Sequence, residues 1–189
     1  MAGRPRTFDR HTAVVVAMEQ FWRDGYEATT ISKLTEAMGI TPPSMYAAFG
    51  DKDQLFQAAA ACYIDAMTVG FDEALAKSTV LETVTDLLYR SGEAHTDAGT
   101  PAGCFVATEP RLAPQRAILR SRLAERIARG VDDGDVRQGT DAELTAGYVM
   151  AVHAGMAARA RDGGTSAEVL AIADLGLQAI TPILTPPTP

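Results

Sequence analysis

This 189-residue sequence has little of what usually announces catalysis or secretion. Its two cysteines, Cys62 and Cys104, fit neither a metal-ligand spacing nor a disulfide pattern, so a reducing intracellular compartment and no bound metal are expected. No apolar run approaches the length of a membrane span, and the opening MAGRPRTFDR lacks the apolar stretch of a secretory signal; the expectation is a cytoplasmic protein with no membrane partner. There is no Gly-rich phosphate loop and no cofactor signature, so no cofactor is expected. A helical enzyme using Cys104 with His95 or His153 lacks an orienting carboxylate at a persuasive spacing, and is set aside. Cations are scarce as well: 17 Lys and Arg face 24 Asp and Glu, for a formal net charge of −7. The deficit is uneven. Residues 1–60 hold 6 cations against 7 anions, whereas residues 61–189 hold 11 against 17. Arg4, Arg6 and Arg10 outnumber Asp9 at the start and make a small basic arm. A polyanion partner is therefore not excluded, because phosphate contacts need local cations and backbone donors rather than a globally positive protein.

What the sequence does have is helical periodicity. Val14, Ala17, Met18 and Phe21 recur at three- and four-residue steps, so Asp9 caps a first helix that ends near Gly25. Thr30 caps a short second helix that Gly39 stops as a left-handed residue. Asp51 caps a long fourth helix, with Gln54 completing an Asp-x-x-Gln box. Further helices are expected over 79–97, from Cys104, from Pro114, over 141–161 and over 166–181, with Ile118, Leu119, Leu123 and Ile127 inward and the neighbouring arginines outward. The ending TPILTPPTP reads as a non-helical tail. The predicted fold is all-α: an arm and three-helix unit over 1–50, a bundle over 51–183 joined to it by the helix 51–75, and a flexible tail over 184–189.

Between the second and fourth helices stands ITPPSMYAAFGDKDQLF. Prolines are tolerated in a helix only in its first turn, where their missing N–H has no intrahelical partner, so Pro42 and Pro43 are the first positions of a helix capped by Thr41. A short helix, a glycine turn and a second short helix make a helix-turn-helix, whose second helix lies in the major groove of DNA with its first residues at the base edges. Small Pro43, Ser44, Ala47 and Ala48 let the backbone approach, Met45 and Phe49 pack inward, and Tyr46 points outward with a hydroxyl that can reach a phosphate. Lys52, in the first turn of the next helix, is placed for a second phosphate contact. The candidate DNA-contacting set is thus Thr30, Thr41, Pro42, Pro43, Ser44, Tyr46, Ala47 and Lys52, with Arg4 and Arg6 as a candidate minor-groove arm. Plainer readings stand beside these: Thr41 as a cap alone, Tyr46 as a surface aromatic, the arm as a tail.

Phe21, Gly25, Tyr26, Thr29, Thr30, Leu34, Ala37, Gly39, Ile40, Thr41, Ser44, Tyr46, Phe49, Lys52 and Leu55 together resemble the DNA-binding region of TetR/AcrR-type transcriptional regulators, across about a fifth of the chain. The resemblance implies a homodimer that represses transcription at a palindromic, double-stranded operator. It also implies a C-terminal bundle that binds a small-molecule effector and then releases the DNA; the expected mechanism is a shift of the fourth helix that changes the spacing of the two recognition helices. Three residues depart from the family's usual pattern. Thr35 replaces a small alanine, which suggests wider packing between the helices; Pro43 replaces a frequent glycine; and Lys33 sits where an acidic residue is common, leaving the second helix without a full capping box. An activator, or a helix-turn-helix that binds a protein partner, is the alternative.

In the bundle, Tyr63, Met67, Phe71, Leu88, His95, Cys104, Phe105, Met150, His153 and Met156 are candidates to line an effector pocket, each with core packing as the plainer role. Cys104 at a helix start is also a candidate electrophile or oxidant sensor, because a helix N-terminus favours the thiolate; the alternative is a small buried hydrophobe. Cys62 reads as packing. The alanine- and glycine-rich helices 141–161 and 166–181 are the expected homodimer interface, two helices from each subunit.

Overall fold

The computed structural model describes residues 8–185; Arg4 and Arg6, and with them the expected minor-groove arm, lie outside that range. Among the described residues all regular structure is helical. The helices are α1 (Arg10–Ala28), α2 (Ile31–Met38), α3 (Pro42–Phe49), α4 (Lys52–Leu75), α5 (Val80–His95), α6 (Phe105–Thr108), α7 (Ala113–Asp132), α8 (Ala142–Arg161) and α9 (Ser166–Leu184). They form two compact units, the first ending at Asp65 and the second starting at Ala66, so α4 carries the chain from one to the other. The boundary expected at residue 50 falls just before α4, whose first half carries Phe56 and Tyr63 against Phe21 and Trp22 of α1.

Local chemistry accounts for the ends of these helices. The Asp9 carboxylate accepts from the amides of His11 and Thr12 at the start of α1. At Gly25 the backbone leaves helical geometry, with φ 76° and ψ 164°, and Thr29 Oγ1 donates to the freed Gly25 carbonyl at 2.7 Å. Thr30 caps α2 by accepting from Lys33 N, and Gly39 ends it in the left-handed region at φ 65°. Thr41 caps α3 by accepting from Ser44 N, directly ahead of Pro42 and Pro43. Asp51 accepts from Gln54 N at 2.8 Å to open α4. The core of this unit is aromatic: Phe21 meets Phe56 edge-on at 5.2 Å and stacks with Tyr26 at 5.9 Å, with Leu34, Met45 and Leu55 fully buried beside them.

Thr35 does not require looser packing. It is buried, and its hydroxyl is satisfied within α2 by the carbonyls of Ile31 and Ser32 at 2.9 and 3.1 Å. Lys33 likewise has a use: its ammonium bonds Asp24 at 2.6 Å and ties α2 to the end of α1. That hydrogen bond is the leading reason why the Asp24 carboxyl lies below the usual carboxylate range.

In the second unit α5 packs against α9 and α8, and α7 against α8. Full capping boxes start α5 (Thr79 with Glu82) and α9 (Thr165 with Glu168). Several sequence expectations are corrected here. On α7, Ile118 is 51% exposed, not inward. Arg126 is buried instead of outward, because its guanidinium donates to the carbonyls of Lys77 and Ser78 at 3.1 and 3.2 Å, which end the turn after α4 and need donors. The shorter helix expected near Cys104 is present as the four residues of α6, followed by a 3-10 turn at Pro110–Leu112. Finally, α9 continues through Pro182 to Leu184, so the non-helical tail does not begin at residue 181. Pro182 removes one donor near the helix end, where few bonds depend on it, while burial of Ile180 and Leu184 holds the last turn in place. α9 is also long and apolar enough, by length and composition alone, to cross a membrane, contrary to the reading of the sequence; here it is an element of the bundle, with Val169, Ala173, Gly176, Ile180 and Leu184 buried.

Candidate nucleic-acid interface

α2 and α3 are short helices joined by the turn at Gly39 and Ile40, and α3 sorts its residues by face. Met45 and Phe49 are buried, whereas Thr41, Pro42, Pro43, Tyr46 and Ala47 are exposed and Ser44 is half-buried. Thr30, at the start of α2, is exposed as well. Met45 and Phe49 inward and Tyr46 outward match the sequence reading, whereas Ala48, expected on the open face, is half-buried.

The first turn of α3 is unusual in its donors. Pro42 and Pro43 have no N–H, and the Ser44 amide is already bound to Thr41 Oγ1 at 3.3 Å. Helix starts commonly bind phosphate through free amides; this one offers hydroxyls instead. Thr41 Oγ1 and Ser44 Oγ lie 2.9 Å apart, and Tyr46, 50% exposed, adds a phenol one turn further on. Small, rigid and uncharged, the surface can approach a base edge or a phosphate without moving side chains aside.

Cations flank it. The Lys52 ammonium sits 4.0 Å from the centroid of the Tyr26 ring. Tyr26 in turn donates its hydroxyl to Asp53. The ring positions Lys52 at the start of α4 while leaving the ammonium donors for an anion. Arg10 was counted in the sequence only as part of the basic arm, but its guanidinium lies 5.0 Å from the centroid of the Phe49 ring on α3. It is a site candidate that sequence reasoning missed, and its place just after the cap Asp9 was the available signal.

The expected effector-lining residues are more scattered. Tyr63 belongs to the first unit, with its ring 4.9 Å from that of Trp22. Phe71 lies under the Arg122 guanidinium, at 5.3 Å, and Leu88, Phe105 and Met156 are buried. Met67 and Met150 are half-buried. A surface groove on the second unit, lined by Tyr89, Asp174, Leu177, Gln178, Thr181 and Pro182, includes none of the expected set.

Three of the expected residues do converge. His95 closes α5, Cys104 precedes α6 and His153 lies in the middle of α8, and one ligand atom from each falls within 4.8 Å of the others. The histidine rings are edge-to-face at 4.9 Å. Burial pushes His95 down to about 3, helped by the charge of His153, and burial alone pushes His153 down to about 4, so both are neutral near pH 7. No metal-ligand spacing along the chain announces this donor set. Cys104 is buried at the N-cap of a helix one turn long, which supplies little macrodipole to favour a thiolate.

Comparison with known proteins matches most of the first unit and then more than nine-tenths of the chain. The family described as bacterial regulatory proteins, tetR family, matches residues 14–59. The HTH-type transcriptional repressor ComR of Escherichia coli (strain K12) is 31% identical, over 93% of this chain and 90% of its own. The HTH-type transcriptional repressor BdcR of the same strain is 29% identical, over 96% of this chain and 94% of its own. Among solved structures, a cysteine-substituted mutant of the TetR family transcriptional regulator CifR, complexed with 26-bp double-strand operator DNA, superposes with a TM-score of 0.88 at 35% identity, covering 94% of this chain and 99% of that one.

Proposed function

Since the chain belongs to the TetR family of bacterial regulatory proteins, and is a DNA-binding transcriptional regulator rather than an enzyme, we propose that it is a repressor that binds a palindromic operator as a homodimer and is released by a small-molecule effector. The observation that carries the DNA contact is the division of α3 between buried Met45 and Phe49 and exposed Thr41, Pro42, Pro43, Tyr46 and Ala47, flanked by Lys52. Operator DNA bound to CifR, a relative of similar fold, supports the same partner here. Thr41, Ser44 and Tyr46 supply hydroxyls to phosphate or base edges, Ala47 and the prolines set the approach, Thr30 lies on the preceding helix, and Lys52 meets a second phosphate. Such a protein works beside the chromosome, in the cytoplasm.

Selection from a random duplex library, with the winners re-measured across a salt series, tests this reading. A palindrome with log K falling linearly in log salt is expected. Lys52→Ala lowers the magnitude of the slope by about one per half-site. Enrichment of no sequence, with affinity remaining non-specific, overturns it and directs attention to a protein partner.

Dimerisation through α8 and α9 is supported by their exposed apolar side chains. Leu144 is 73% exposed and Leu175 66%, with Tyr148 and Ile183 also open to solvent. Large apolar side chains gathered on two helices favour a second copy over water. Leu175→Arg is expected to shift the protein from dimer to monomer in sedimentation and to weaken operator binding by at least about tenfold, since each half-site alone contributes little. A variant that stays dimeric sinks this assignment. Effector and operator then couple reciprocally, each lowering affinity for the other by one shared factor.

A further inference from the structure

We propose that His95, Cys104 and His153 form a binding site for one borderline-soft transition-metal ion, of the zinc or monovalent copper kind. The donors come from the end of α5, the residue before α6 and the middle of α8. Their ligand atoms lie within 4.8 Å of one another. Tetrahedral zinc with ligand bonds of about 2.0–2.3 Å holds its donors about 3.3–3.8 Å apart, so a contraction of about 1 Å completes the site.

The donor types decide the class of ion. One thiolate and two imidazoles select zinc, monovalent copper or cobalt, whereas magnesium and calcium require oxygen ligands, and this cluster contains no carboxylate. Three protein donors leave zinc one position for an outside ligand, and suit monovalent copper in trigonal geometry. As the Sγ–metal bond forms, the thiol proton leaves to solvent.

A second observation separates this from ordinary core packing. His95 is 3% exposed, and the Nδ1 atoms of both His95 and His153 are buried without a hydrogen-bond partner among the described residues. A buried polar nitrogen without a partner is costly, and two side by side are harder to explain as packing than apolar residues of the same size would be. The backbone also prepares the site: the Gly103 amide donates to the His95 carbonyl at 2.9 Å, which pins the segment carrying Cys104 to the end of α5. The site stands on this geometry whether or not the protein binds an operator.

The test uses the full, reduced chain after treatment with a chelator. Cobalt(II) is titrated as the spectroscopic probe, then displaced with zinc(II), and monovalent copper is offered separately against a chromogenic chelator. One cobalt per chain, with the intense charge-transfer absorption of a thiolate ligand and displacement by zinc or saturation by copper, supports the site and identifies its ion. Cys104→Ser should abolish the charge-transfer band and His153→Gln should weaken binding at least tenfold. Cys62→Ser and His11→Gln, which alter a cysteine and a histidine outside the cluster, should leave stoichiometry and spectrum unchanged, and helical circular dichroism confirms that each variant is folded. Folded wild-type protein that binds none of the three ions at micromolar concentration overturns the proposal. So does a thiolate band that survives in Cys104→Ser and disappears in Cys62→Ser.

Discussion

Lowering the pH of the metal-free protein from 7 to 4 is expected to unfold the second unit well before its carboxylates titrate in bulk. Burial depresses His95 to about 3 and His153 to about 4, whereas both take the ordinary value of 6.5 in an unfolded chain. Between about pH 6.5 and 4 the unfolded chain therefore binds protons that the folded chain refuses, and stability falls as pH falls. Each imidazole held neutral contributes a slope on the order of 1 kcal/mol per pH unit, and the pair about twice that around pH 5. Over two units this is comparable with the whole stability of a typical domain, about 5–15 kcal/mol. The rings lie against each other, and among the described residues no carboxylate is grouped with them and Cys104 to hold an imidazolium. Urea unfolding at pH 7, 6 and 5 measures the slope directly, and His153→Gln should remove about half of it. Equal midpoints at pH 7 and 5 would show that the imidazoles are already protonated, or solvated, in the native state.

Gly103→Ala should be among the most damaging single substitutions in the protein. Its φ is +83°, a region where an L side chain costs about 1–2 kcal/mol. A Cβ built there would stand 2.7 Å from the Ala157 carbonyl oxygen and 2.7 Å from Arg161 Cγ. The arginine stem can swing away, but the carbonyl belongs to the α8 backbone and cannot, so overpacking adds about 1–3 kcal/mol. A total loss of about 2–5 kcal/mol is expected in denaturant unfolding at neutral pH. Gly134→Ala is the control. It shares a positive φ of 78° but has open space around its Cβ, so it should show the backbone cost alone. Equal losses in the two variants would rule out the close approach of α8 as the cause.

The parts of this fold legible in the sequence were those written locally. Asp9, Thr30, Thr41 and Gly39 act within a few residues of themselves, and each caps or stops its helix as read. The outward face of α3 was legible for the same reason, since eight residues with prolines at the start leave few choices of phase. Features set by distant partners were not. On α7 the adjacent Ile118 and Leu119 left the helix phase ambiguous, and the burial of Arg126 depends on carbonyls at Lys77 and Ser78 that no local pattern announces. Arg10 could be placed beside Phe49 only once α1 and α3 were packed. The grouping of His95, Cys104 and His153 joins three separate elements at spacings no short motif describes. His95 and His153 are pocket candidates by helix face and Cys104 by its place at a helix start, but their convergence is a property of the bundle.

Pro42 and Pro43 fix two of α3's eight φ angles at about −65° before any partner arrives. A helix that is already ordered has little folding left to do on contact. Calorimetry of operator binding should therefore show a heat-capacity change close to that of the surface removed from water, with no excess from coupled ordering of the helix.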